Sequence, residues 1–180
     1  MLVQDVIDEL QLDCMQVVPA ATQPLKGSVG TSAADRLALT RLCFATARQV
    51  EVDPIEIERG GLSFMVETME HYVERWPGAA LFLVLGADAA SALDRWREPE
   101  RLLRLAQLVV LDRVGSASPA PWTAWSDIVR PIHLSTRRID VSSSEIRARV
   151  ASGRSISGFV PESVAARIAA TGLYLSRTAC

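Results

Sequence analysis

The stretch richest in chemistry is Val141-Ser142-Ser143-Ser144-Glu145-Ile146-Arg147. Its hydroxyls fall where the chain enters a helix. There the first N–H groups lack intrahelical partners and the dipole end is positive. Arg147 stands one turn further along the face of Ser143 and Ser144. Hydroxyls, amide hydrogens and one planar cation together make a phosphate cradle. The same residues also read as an ordinary helix start, with a serine cap, Glu145 as its box partner and Arg147 in solvent. Spacing alone leaves both readings open.

A cradle needs elements to hold it. Leu81 to Leu85 is apolar on both faces, as in a central parallel strand, and Gly86-Ala87-Asp88 follows at its carboxyl end, opening a helix to about Arg95. Leu108 to Leu111 reads as a second buried strand ending at Asp112-Arg113. Met15 to Val18 is a short strand stopped by Pro19, with a loop to Thr31 that carries Pro24, Lys26, Gly27 and Gly30. Val52, Ile55 and Ile57 suggest another strand region, and Ile128 to Leu134 a last one. Helices are expected from Leu2 to Leu10, from a Ser32 cap to about Gln49, from a Ser63 cap to Trp76, and after Pro99. Two more should run from Ser142 to Ser152 and from Pro161 to Gly172. Alternating strands and helices predict an α/β fold, a doubly wound, Rossmann-like parallel sheet in a single domain over residues 1–180. Ligands of such sheets sit beyond the carboxyl ends of the strands. That points to Pro19–Lys26, Gly86–Asp88, Asp112–Gly115 and the residues after Leu134.

Composition narrows the partners. The 180 residues carry 19 Lys plus Arg against 21 Asp plus Glu, a net charge of −2, so nucleic acid is a poor partner and any anion must be held by local donors. No apolar run approaches the ~18 residues of a membrane span, and the N-terminus lacks the pattern of a signal peptide. Cys14, Cys43 and Cys180 are scattered and odd in number, fitting neither a disulfide framework nor a metal site. A cytoplasmic setting is expected. His71 reads as a helix surface residue and His133 as a strand residue.

Downstream of the serine-rich turn come Gly153-Arg154-Ser155-Ile156, Val160-Pro161 and Gly172-Leu173-Tyr174. This order resembles the C-terminal end of bacterial nicotinate-nucleotide adenylyltransferases: Ile-Ser-Ser-Thr-x-Ile-Arg, a short helix, a Val-Pro helix start and Gly-Leu-Tyr. Upstream, Gly86-Ala87-Asp88 with Leu93 and Trp96 resembles the family's Gly-x-Asp…Trp segment, and Arg113-Val114-Gly115 its Arg-Pro-Gly. Gly61-Leu62-Ser63-Phe64 with Thr68 resembles its Gly-x-Ser-Tyr-Thr-x-Asp-Thr. Pro19 to Lys26 resembles its Pro…Pro-Pro-His-Lys loop.

The resemblance implies transfer of the adenylyl group of ATP to nicotinate mononucleotide, forming deamido-NAD and pyrophosphate, a step of NAD biosynthesis. Ser143, Ser144 and Arg147 would bind the ATP phosphates. Gly86, Asp88, Arg113 and Lys26 would contact nucleotide, and Trp96 and Met65 would face the nicotinate ring. Mg2+ would accompany ATP on the substrate's own oxygens, with no protein metal ligand. A non-catalytic nucleotide-binding protein and the pantetheine-phosphate type of adenylyltransferase are the alternatives.

The family pattern begins with a strand and a Gly-x-Phe-x-Pro-x-His-x-Gly-His loop, which this sequence does not contain, so no catalytic residue is assigned. The expectation is trace activity for the sequence as it stands, with a misassigned start codon as the simplest cause. Leu25 replaces the loop histidine, Met65 replaces a threonine, and Glu67 keeps the charge of an aspartate.

Overall fold

Leu2–Leu10 coils as α1 and buries Val6 and Ile7, as its apolar spacing requires. The computed structural model describes residues 2–25, 30–113, 125, 127–136 and 141–175. After α1 come β1 (Met15–Val17), α2 (Ala33–Phe44), β2 (Val50–Val52), α3 (Ile55–Arg59) and α4 (Met65–Arg75). Then follow β3 (Phe82–Gly86), α5 (Ala87–Ala90), a 3-10 turn (Leu93–Arg95), α6 (Pro99–Leu105) and β4 (Gln107–Arg113). The order closes with β5 (Ile132–Thr136), α7 (Ser143–Ala151) and α8 (Glu162–Thr171). The α/β class with parallel strands is as expected. Among the described residues the strands form a two-stranded and a three-stranded parallel sheet, one in each of two compact units.

The first unit comprises Met1–Gln11 and Leu62–Arg138. Its sheet has the order β3-β4-β5, all parallel, with Leu83 opposite Leu108 and Val110 opposite His133. Leu108, Val109 and Val110 are consecutive and all buried, the mark of a strand covered on both faces. Helix α4 packs against α6, and α1 against β5. Leu93 and Leu102 are fully buried in this core.

The second unit comprises Leu12–Gly61 and Ile139–Cys180. Strands β1 and β2 run parallel with Met15 opposite Val50, and Asp53 N–H continues the ladder to Val17 C=O at 3.1 Å. Helix α2 packs on β2 and α8. Ile146, Ile156, Val164 and Ile168 form the core, with Leu39, Leu42 and Phe159 against it.

Several boundaries differ from the sequence reading. Ile55 and Ile57 lie in α3, not in a strand: Pro54 removes a ladder donor, and the Asp53 carboxylate accepts from Ile55 N–H at 2.9 Å, starting a helix. Helix α2 ends at Phe44, short of Gln49, because Gln49 turns left-handed at φ 57° to set its carbonyl on Met15 N–H. Helix α4 opens after Phe64, with no side-chain cap at that position. The segment after Asp88 is not one helix to Arg95 but α5 and a separate 3-10 turn; the Ser91 hydroxyl bonds back to Asp88 C=O at 2.9 Å where the first piece ends. The last strand starts at Ile132, not Ile128, since Ile128 and Val129 donate to Trp125 C=O in a turn that buries Trp125 and Val129.

Leu102→Ala should cost about 2–5 kcal/mol, because it removes a wholly enclosed side chain from a close-packed core. Urea unfolding checks this, and a loss below about 1 kcal/mol would contradict the packing described.

Candidate functional site

The start of α7 separates two jobs that the sequence leaves merged. Ser142 is the N-cap: its extended backbone lets its Oγ accept from Glu145 N–H at 3.1 Å. Ser144 accepts from Arg147 Nη2 at 3.0 Å and so holds the guanidinium beside the helix start. Ser143 and Arg147 line a cavity of about 730 Å³ within the second unit. Ser144 is not among the lining residues and serves that wall through Arg147.

This cavity opens at the carboxyl end of β1, where parallel sheets receive ligands. Its wall includes Val18 to Gln23, Thr31, Arg36 and Thr40, and its apolar floor includes Ile146, Val164 and Ile168 from the core below. Among the described lining residues the charged ones are Arg36 and Arg147, with no carboxylate. The Arg147 guanidinium over a low-dielectric floor, beside the positive end of α7, favours an anion.

Arg36, Thr40 and Tyr174 also line the cavity, and sequence reading did not single out Arg36 or Thr40. The available signal for Arg36 was its place in the first turns after the Ser32 cap, directly behind the Pro- and Gly-containing loop. Ser32 does cap α2, accepting from Asp35 N–H at 3.0 Å.

Of the remaining candidates, Gly86, Asp88, Trp96, Met65 and Arg113 belong to the first unit. Gly86 ends β3 and caps α5 with an ordinary φ of −68°, and a Cβ there would meet nothing within 4 Å. Neither the turn nor the packing of this chain demands a glycine at that point. Asp88 is exposed in the first turn of α5, and it is Gly86, not Asp88, that occupies the cap position. Trp96 is half-buried just after the 3-10 turn, and Met65 is half-buried at the start of α4. Arg97 ties these two segments together: it bonds Glu67 Oε1 at 3.1 Å and lies 4.6 Å from the centre of the Phe64 ring. Lys26 and the side chain of Arg113 lie outside the described residues.

The histidines sit as expected. His71 is exposed on α4, and His133 lies in β5 with Nδ1 2.7 Å from Asp112 Oδ2. Cys14 and Cys43 are free thiols, both held above the ordinary thiol range chiefly by burial, with the Glu51 carboxylate adding to the effect at Cys14. A raised thiol is a poor nucleophile at neutral pH, so neither is suited to covalent catalysis.

Comparison with known proteins places this geometry in context. The cytidylyltransferase-like family model matches residues 1–149. A probable nicotinate-nucleotide adenylyltransferase of Gemmatimonas aurantiaca is 51% identical over 178 residues, spanning 97% of this chain and 84% of its own. One of Roseiflexus sp. is 40% identical over 96% of this chain and 88% of its own. Among solved structures, Plasmodium falciparum nicotinic acid mononucleotide adenylyltransferase complexed with NaAD matches with TM-score 0.72 at 15% identity, over 96% of this chain and 89% of that one. No helix among the described residues is long and apolar enough to cross a membrane.

The division of labour at α7 is testable by stability alone. Ser142→Ala should lose about 1 kcal/mol with the cap bond. Ser143→Ala, at an exposed position outside that bond, should stay within about 0.5 kcal/mol of the parent. Thermal melts of both variants decide it; equal losses would mean that the cap is shared.

Proposed function

This chain belongs to the nicotinate-nucleotide adenylyltransferase family, and on that footing we propose that it joins ATP to nicotinate mononucleotide, releasing pyrophosphate and forming deamido-NAD. The carrying observation is the cavity at the start of α7, whose described charged lining is cationic only, with Ser143 and Arg147 in its wall. In the reaction the 5′-phosphate oxygen of the mononucleotide attacks the α-phosphorus of ATP. The new P–O bond forms as the bond to the β-phosphate oxygen breaks, and pyrophosphate carries away the electron pair. No protein group needs to become covalent. Positioning and charge stabilisation suffice for such transfers.

In this reading Arg147, steadied by Ser144, faces the triphosphate together with the Ser143 hydroxyl and the free amides of α7. Asp88 accepts hydrogen bonds from a nucleotide ribose, and Gly86 leaves room for the nucleotide to approach the end of β3. Trp96 offers a flat face to the nicotinate ring, with Met65 beside that ring. Arg113 and Lys26 are further anion contacts. Mg2+ enters with ATP. Held on the substrate's own oxygens, it would offset the phosphate charge during transfer. Small-molecule substrates in the cytoplasm complete the proposal.

The Ser143→Ala, Arg147→Ala double variant should bind ATP at least about tenfold more weakly by calorimetry, about 1.4 kcal/mol or more. Unchanged affinity would overturn the phosphate assignment. Gly86→Ala separates ligand space from folding need. With a normal φ and open surroundings it should hold or raise stability by up to about 1 kcal/mol, yet raise the apparent KM for nucleotide. If activity stays at the parent level, the space beside Gly86 is not used by substrate.

A further inference from the structure

We propose that Arg36 is a positioning residue that cinches both ends of the loop following β1, and thereby sets the wall of the ATP cavity. Its Nη1 donates to Thr31 C=O at 2.6 Å, and its Nη2 donates to Ala20 C=O at 2.6 Å and Ala21 C=O at 2.5 Å. Ala20 and Ala21 lie where the loop leaves the sheet, and Thr31 lies where it returns, directly before the Ser32 cap. One rigid fork on α2 therefore joins main-chain atoms ten residues apart along the loop.

The chemistry suits arginine and little else. A guanidinium presents several N–H donors in fixed directions, whereas an ammonium is a point charge on a flexible stem. Three carbonyl dipoles aimed at one half-buried cation also compensate its charge. Thr31 is buried, and Ala20, Ala21, Thr22 and Thr31 all line the same cavity as Ser143 and Arg147. The two arginines of this cavity thus differ in task. Arg36 is engaged by backbone oxygens and shapes the wall, and Arg147 is steadied by one hydroxyl and meets the ligand.

The kinetic part of this inference rests on the proposed adenylyl transfer; the structural part does not. The test compares Arg36→Met and Arg36→Lys with the parent chain by amide hydrogen exchange and by steady-state kinetics. In Arg36→Met, exchange should quicken at least about tenfold in the peptide covering residues 18–25, while peptides from β3, β4 and β5 keep the parent rates. The apparent KM for ATP should rise at least about tenfold with kcat within about threefold, the signature of a disturbed binding wall and not of lost chemistry. Arg36→Lys should fall between, since it restores charge but cannot fork across both loop ends. Unchanged exchange at 18–25, or a uniform rise across all peptides, overturns the strap. Quickened exchange with an unaltered KM overturns its link to the ATP wall. Should the parent chain convert no nicotinate mononucleotide, the functional reading fails by itself, and the exchange measurement still decides the role of Arg36.

Discussion

The hydrogen bond from Glu145 N–H to Ser142 Oγ governs what the first turn of α7 can do. A helix start must satisfy its unpaired N–H groups, and each side chain spent on that task is lost to a ligand. Because Ser142 takes the cap, Ser143 is placed in the cavity wall, and Ser144 is left to hold Arg147. Three adjacent residues of one type thus have three distinct roles, set by where the backbone leaves its extended conformation. Were the cap one residue later, Ser143 would turn inward to the backbone, and Ser144 would lose its registry with Arg147.

The same economy separates the two arginines. A half-buried guanidinium costs free energy unless its donors are met. Arg36 meets them with carbonyls from both ends of one loop, so its charge is compensated before any ligand arrives. Arg147 donates to a neutral hydroxyl, that of Ser144, among the described residues. With no carboxylate in the described lining, an anion entering the cavity meets a field set mainly by Arg147 and the helix dipole, within walls set by Arg36. This agrees with the chain's net charge of −2, which offers no long-range attraction and leaves recognition to local donors.

Much of this was legible in the sequence because the relevant signals are local. The serine caps of α2 and α7, the proline at the entry to α8 and the left-handed Gly172 at its end are each written in one or two residues. The doubly apolar run of β3 and β4 was equally plain. What failed was read from apolar type without regard to backbone donors. Ile55 and Ile57 look like strand residues, but Pro54 and the Asp53 side chain decide their conformation. Gln49 looks helical until β2 must lie beside β1, which forces the chain to reverse there.

Arg36 shows the same limit in the site itself. Its partners are main-chain oxygens, which every residue carries, so no partner side chain advertises the contact. Only the fold brings Ala20, Ala21 and Thr31 within reach of one guanidinium. Ser143 and Arg147 were singled out because their chemistry is carried by side chains at helical spacing, and both line the cavity. A cavity of this kind therefore has two layers of information. Groups whose side chains could meet a ligand are visible as residue types, and the groups that shape its walls appear only once backbone carbonyls have positions. The Arg36 bonds to Ala20, Ala21 and Thr31 carbonyls belong to the second layer.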